Sequence, residues 1–76
     1  MPLRRQNRAT PMFRDVTMDQ VRYRIAGQYY GDELPTYIRA FPVTNPSVTV
    51  FEDDSAGFDQ GVENAWVAVK KYHRAH

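Results

Sequence analysis

Residues 18–29 read MDQVRYRIAGQY, and two periods compete for them. Met18, Val21, Ile25 and Tyr29 fall at spacings of three and four, the stripe of an amphipathic helix. Thr17 with Gln20 has the spacing of a capping box at its start. Against this, Val21-Arg22-Tyr23-Arg24-Ile25 alternates strictly between apolar or aromatic side chains and arginine, which is the period of a half-buried strand. Valine, tyrosine and isoleucine favour the extended form, and Gly27 ends the run in either case. The strand reading, from about Val21 to Ala26, is preferred, with a short helical turn in residues 12–20 ahead of it. If the helical period wins instead, the chain becomes helix, two strands, helix.

Downstream the pattern is simpler. Gln28 to Pro35 is a turn region centred on Gly31-Asp32. Thr36 to Phe41 is a second strand, bracketed by Pro35 and Pro42 where neither is required to donate a ladder hydrogen bond. Thr36, Ile38 and Ala40 share one face; Tyr37, Arg39 and Phe41 share the other. Thr44-Asn45-Pro46-Ser47 is the next turn, and Val48 to Glu52 is a third strand with Val48, Val50 and Glu52 on one face. From Ser55 to His73 the apolar residues Phe58, Val62, Ala65, Trp66, Val69 and Tyr72 keep a helical stripe. Asp54 or Ser55 caps this helix, Asp59 sits in its first turn, and Lys70, Lys71 and His73 sit in its last turns. Gly61 lies inside it at a cost of about 1 kcal/mol relative to alanine.

The expected fold is therefore α+β: a three-stranded antiparallel β-meander packed against one C-terminal α-helix, preceded by a flexible basic N-terminal arm. The arm covers residues 1–11 and a single small globular domain covers 12–76. The expected core is Val21 or Tyr23, Ile25, Ile38, Ala40, Val48, Val50, Phe58, Val62, Trp66 and Val69.

Bulk composition narrows the function classes. At 76 residues there is room for one modest core, and without cysteine neither disulfides nor thiolate metal sites can staple it. Packing of ten aromatic residues, or an obligate oligomer such as a homodimer, must supply the stability. No apolar run approaches the ~18 residues of a membrane span, so no membrane partner is expected and a cytoplasmic location is the default. Net charge is +1 but segregated. Residues 1–30 hold six arginines against two aspartates, a balance of +4; residues 31–63 stand at −6; residues 64–76 stand at +3. Such a chain can fold into a dipolar surface that steers partners of either sign.

Catalysis is not expected. Both histidines, His73 and His76, stand at the end of the chain, far in sequence from Ser47 and Ser55, where a fraying tail gives poor preorganisation. Their spacing could put two imidazoles on one helix face, but a closed metal site needs about four ligands. The acids Glu52, Asp53, Asp54 and Asp59 lack the alternating ligands and fixed glycine of an EF-hand loop. No cofactor or metal is expected.

Two binding readings remain. In the first, nucleic acid is held by Arg4, Arg5 and Arg8 of the arm together with Arg22, Arg24, Tyr37 and Arg39 on the polar sheet face. The order of basic arm, three strands and one helix is similar to that of the arm-binding domains of phage-type integrases, in element order alone. In the second, a protein partner meets Tyr29, Tyr30, Glu52, Asp53 and Asp54, or pairs with a strand edge. An acidic block of this kind could cover a basic nucleic-acid site, as small inhibitory proteins of phages and mobile elements do. The helix with its Glu63-Asn64-Ala65 resembles, over that short stretch, the closing helix of HicB-type antitoxin domains. Nucleic acid is placed slightly ahead of protein.

Overall fold

In a computed structural model describing residues 9–76, the alternation at Val21–Tyr29 prevails over the helical period. Tyr23, Ile25 and Gly27 point inward and are buried, while Arg22, Arg24, Ala26 and Gln28 line the opposite face. This strand is the second of four. β1 (Thr10–Met18), β2 (Val21–Tyr29), β3 (Thr36–Pro42) and β4 (Phe51–Ser55) form one antiparallel sheet in chain order, and α1 (Phe58–Ala75) lies across one face. The α+β class and the closing helix are as expected. The strand count is four in place of three.

The additional strand is β1, which replaces the expected helical turn. It pairs with β2 from Thr10↔Tyr29 to Met18↔Val21, leaving Asp19-Gln20 as a two-residue hairpin turn. Both turn residues have positive φ, 50° and 71°, as a tight hairpin compatible with strand twist requires. The expected arm also ends earlier, because Thr10 and Pro11 open β1. The rest of that arm, with Arg4, Arg5 and Arg8, lies outside the described residues.

The third expected strand is displaced by three residues. Asn45 N–H donates to the Pro42 carbonyl at 3.0 Å and Val48 N–H to the Asn45 carbonyl at 3.1 Å, so two successive turns consume residues 42–48. β4 therefore runs Phe51–Ser55, and Val50 N–H meets the Ala40 carbonyl at 2.8 Å just ahead of it. Asp53 and Asp54 are consequently strand residues and do not cap the helix. Gly57 is the N-cap, no side chain caps it, and the Ser55 hydroxyl donates to the Gly57 carbonyl at 2.7 Å. Glu52, Asp53 and Asp54 follow one another along this edge strand, a row of charge that disfavours pairing with a further strand.

The core lies between sheet and helix. Tyr23, Ile25, Ile38, Ala40, Val62, Ala65 and Val69 are buried, and each large aliphatic among them contributes about 1.5–3 kcal/mol by leaving water. Val21, Val50, Phe58 and Trp66 pack around this cluster half-buried; Val48, expected in the core, sits in the turn and is not part of it. Gly61 explains how the helix comes so close. A Cβ there would stand 2.3 Å from Ile38 Cγ1 and 2.8 Å from Ser55 Oγ, so only glycine admits this contact. Gly27 does the same from the sheet side, where a Cβ would meet the Phe58 ring at 2.6 Å.

At the far end of the helix a hydrogen-bonded chain closes the fold. Tyr23 Oη lies 2.9 Å from His73 Nδ1, and His73 Nε2 lies 2.8 Å from Asp19 Oδ2. With Nε2–H donating to the carboxylate, Nδ1 accepts from the tyrosine hydroxyl. Burial, with the neighbouring Tyr72 phenol, raises the Tyr23 pKa above its ordinary value.

Candidate nucleic-acid interface

The helix covers one face of the sheet, and among the described residues no element packs on the other. Strand register arranges that open face in rows. Asp15, Arg24 and Phe41 stand side by side across three strands. The next row is Phe13, Ala26, Arg39 and Glu52, and the row after it is Pro11, Gln28, Tyr37 and Asp54. Arg22 opposes Thr17 at the hairpin end. Of the residues expected to meet nucleic acid, Arg22, Arg24, Tyr37 and Arg39 thus come together on one surface.

Their geometry is more specific than a scatter of charge. The Arg24 guanidinium stands 4.5 Å from the centroid of Phe13, and that of Arg39 stands 4.7 Å from the centroid of Phe41. Guanidinium–ring pairs of this kind are worth about 0.5–1 kcal/mol at exposed sites and hold both partners in place. Arg24 is fixed further by a two-pronged bond to Asp15, Nε to Oδ1 at 2.7 Å and Nη2 to Oδ2 at 3.0 Å. That hydrogen bond holds the Asp15 carboxyl below its usual pKa and raises that of Arg24. Arg39 donates through Nε to Thr49 Oγ1 at 3.1 Å and through Nη2 to the Pro46 carbonyl, tying the face to the β3–β4 loop. Tyr37 donates to Glu52, and this bond, ahead of desolvation, raises the phenol's pKa.

Phe13, Arg24, Ala26, Gln28, Tyr37, Arg39 and Phe41 together line a shallow depression of about 290 Å³. Phe13 is 63% exposed, an unusual degree of exposure for a phenylalanine in a strand. It escapes notice in the sequence because β1 does, although Met12, Arg14, Val16 and Met18 alternate with Pro11, Phe13, Asp15 and Thr17 once the register is known. Ala26 closes the expected strand, whereas Gln28, expected in the turn region, is a strand residue because β2 runs on to Tyr29.

The residues expected at a protein interface do not form one surface. Glu52 and Asp54 border the open face, whereas Asp53 pairs with Ile38 and belongs to the helix-side face. Tyr29 donates to Asp32, which raises the phenol's pKa, and Tyr30 donates to Gln28 Oε1 at 2.8 Å. Tyr30 and Asp54 do meet, with Leu34 and Pro35, around a second shallow depression of about 350 Å³.

Charge segregation along the chain becomes segregation in space. Asp32 and Glu33 of the β2–β3 loop, Asp53 and Asp54 at the end of β4, and Asp59 at the helix start gather at one end of the sheet. Arg22, Lys70, Lys71 and Arg74 gather at the other, where the His73 contact pins the helix terminus to the hairpin. The two histidines do not share a ligand position: His73 is held by Tyr23 and Asp19, and His76 stacks on Tyr72 with ring centroids 4.1 Å apart. Among the described residues no group of three or more histidine, cysteine, aspartate or glutamate side chains converges, and no helix is long and apolar enough to cross a membrane. Comparison with known proteins finds no matching protein family, no matching curated protein and no matching solved structure.

Proposed function

We propose that this chain is a small non-enzymatic protein that binds single-stranded nucleic acid on the open sheet face. The observation that carries the reading is the pairing of Arg24 with Phe13 and Arg39 with Phe41 around one depression. The exposed Phe13 ring and the half-buried Phe41 ring offer stacking surfaces that accept any base, and the guanidinium N–H groups left free by their internal bonds offer donors to phosphate. Glu52 and Asp54 repel a polyanion from the β4 edge and confine it to the strip over β1 to β3. The basic end at Arg22, Lys70, Lys71 and Arg74 extends the favourable field, and Arg4, Arg5 and Arg8 add three charges at the start of the chain. A near-neutral total is tolerable because Asp32, Glu33, Asp53 and Asp59 lie at the other end and Asp15 is neutralised by Arg24.

Titration of labelled single-stranded DNA and RNA at two salt concentrations tests it. Affinity falls with salt along a log–log slope of about −0.7 per phosphate contacted. Absence of binding at low salt overturns the proposal. A second reading, supported by the depression among Tyr30, Leu34, Pro35 and Asp54, is a protein partner that presents an apolar residue flanked by positive charge. It predicts a stoichiometric partner that survives nuclease treatment and is lost with Leu34→Asp.

A further inference from the structure

The two edges of the sheet differ in what they present to a neighbour. β4 carries Glu52-Asp53-Asp54, whereas the charges of the longer β1 are one arginine and one aspartate, Arg14 and Asp15. Two large apolar side chains left exposed, Met12 and Phe13, stand next to each other on β1. The helix leans on β3 and β4 and barely touches this edge, where its ion pair with Arg14, through Asp59, spans 4.0 Å.

The hairpin turn decides which backbone groups of β1 are already spent. A two-residue turn with positive φ at Asp19 and Gln20 is closed by a hydrogen-bonded pair, here Met18 with Val21. Alternation then turns the N–H and C=O of Met18, Val16, Arg14 and Met12 toward β2, and those of Thr17, Asp15 and Phe13 outward. Pro11 falls in the outward set, where its missing N–H leaves the ladder to β2 intact. Among the described residues no backbone group bonds to this outward row.

We propose that the β1 edge pairs with β1 of a second copy, antiparallel, about a two-fold axis through Phe13. An antiparallel strand aligns with its own copy about a single residue, and the charges of β1 select which one. Centred on Arg14 the whole strand overlaps, but the two Arg14 side chains then face each other across the closer, non-hydrogen-bonded spacing of about 4.5 Å. Centred on Asp15, the two carboxylates oppose each other. Centring on Phe13 gives the longest overlap that opposes no like charges, covering Thr10–Val16 of each copy. There Phe13 meets Phe13, Arg14 lies against Met12 and Asp15 against Pro11, while the two arginines are parted to a diagonal of about 7–8 Å. Phe13 exchanges two backbone bonds with its copy, and Asp15 N–H donates to the Pro11 carbonyl on either side. The axis stands normal to the sheet, so both helices fall on one side and both arginine-bearing faces on the other. This pairing needs no nucleic acid, so its test is separate from that of the function proposed above.

Light scattering on the full chain, without nucleic acid, is expected to show the mass rise from 8.9 kDa toward twice that value as concentration increases. The mass of a single chain up to about 1 mM overturns the proposal. The sequence holds no cysteine, so one introduced cysteine links only between copies. Phe13→Cys is expected to give a disulfide-linked pair at least about tenfold faster than Asp15→Cys or Thr17→Cys, whose Cα atoms would lie about 13 Å and about 26 Å from their copies, beyond disulfide reach. Equal rates at the three positions, or faster linking through Asp15→Cys, overturn the proposed register. Phe13→Pro removes the outward N–H at the axis and spares the ladder to β2. It is expected to stay a single chain at concentrations where the parent is paired, with the parent's circular dichroism spectrum. A folded Phe13→Pro chain that still pairs overturns the edge contact; where this variant fails to fold, the cysteine series decides alone. Deleting residues 1–8 is expected to leave the pairing in place. Pairing that occurs only after that deletion shows the edge covered by the chain's own start, and overturns the proposal.

Discussion

The hydroxyl of Tyr23 and the Nδ1 of His73, fifty positions apart, meet at 2.9 Å and lock the end of the helix to the second strand. The other imidazole nitrogen reaches Asp19 in the hairpin turn, so three separate segments share one imidazole.

That arrangement sets a coupling energy. Tyr23→Phe and His73→Ala are each expected to destabilise by about 1–2 kcal/mol, and a double-mutant cycle to return about 0.5–1.5 kcal/mol of interaction. Asp19→Ala is expected to cost less than about 0.5 kcal/mol, since its carboxylate is largely exposed. Urea denaturation of the four chains of the cycle measures this, and strict additivity would show that the two residues act independently.

Gly61 makes an opposite prediction to helix propensity. Gly61→Ala gains about 1 kcal/mol of propensity but drives a methyl to 2.3 Å from Ile38, so a net loss of about 1–3 kcal/mol is expected. In an Ile38→Ala background the added methyl refills the void, and the same substitution is expected to become neutral or stabilising. Melting temperatures of the four combinations decide the matter.

Acid should release the Asp15–Arg24 clasp. A carboxyl whose pKa is held down in the folded state contributes stability above its unfolded value and loses it as pH falls through the folded one. The stability gap between the parent chain and Asp15→Asn is therefore expected to be full at neutral pH and to close below about pH 4. Denaturant midpoints at neutral and acid pH read it; a gap independent of pH would show that the pair does not couple to folding.

Removing an exposed ring should separate binding from stability. Phe13→Ala is expected to leave the melting temperature within a few degrees of the parent, because the ring is mostly in solvent, and to weaken oligonucleotide binding about tenfold. If affinity is unchanged, the stacking surface lies elsewhere.

Truncation addresses the start of the chain. Deleting residues 1–8 stops short of β1, so the melting temperature is expected to hold. The salt slope is expected to shrink by up to about 2 if all three arginines reach phosphates. An unchanged slope would assign binding to the sheet alone.

What was legible in the sequence follows from where each strand sits. β2 and β3 are central and one of their faces is buried, so period two is written into Val21–Ile25 and Thr36–Phe41 and fixes which side Arg22, Arg24, Tyr37 and Arg39 occupy. β1 is an edge strand whose inward residues include Arg14, beside Asp59 at 4.0 Å, and exposed Met12, so burial never enforced a clean alternation. Its turn is Asp-Gln and lacks the glycine that usually announces a hairpin. β4 was misplaced because Val48 and Val50 have strand composition, while the acidic residues that do pair resemble a helix cap. The site was half visible for the same reason: two of its strands could be read, and Phe13, on the unread one, could not.

The acidic row Glu52-Asp53-Asp54 along β4 gives the sheet a built-in terminus. β1, at the opposite edge, carries no such row among the described residues, so the charge that closes the sheet is on one side alone. If a second copy joined along β1, the sheet would stop at eight strands with like charges facing outward on both flanks. Growth would end there, in a finite pair, and the polymerisation open to a sheet with two permissive edges would be denied.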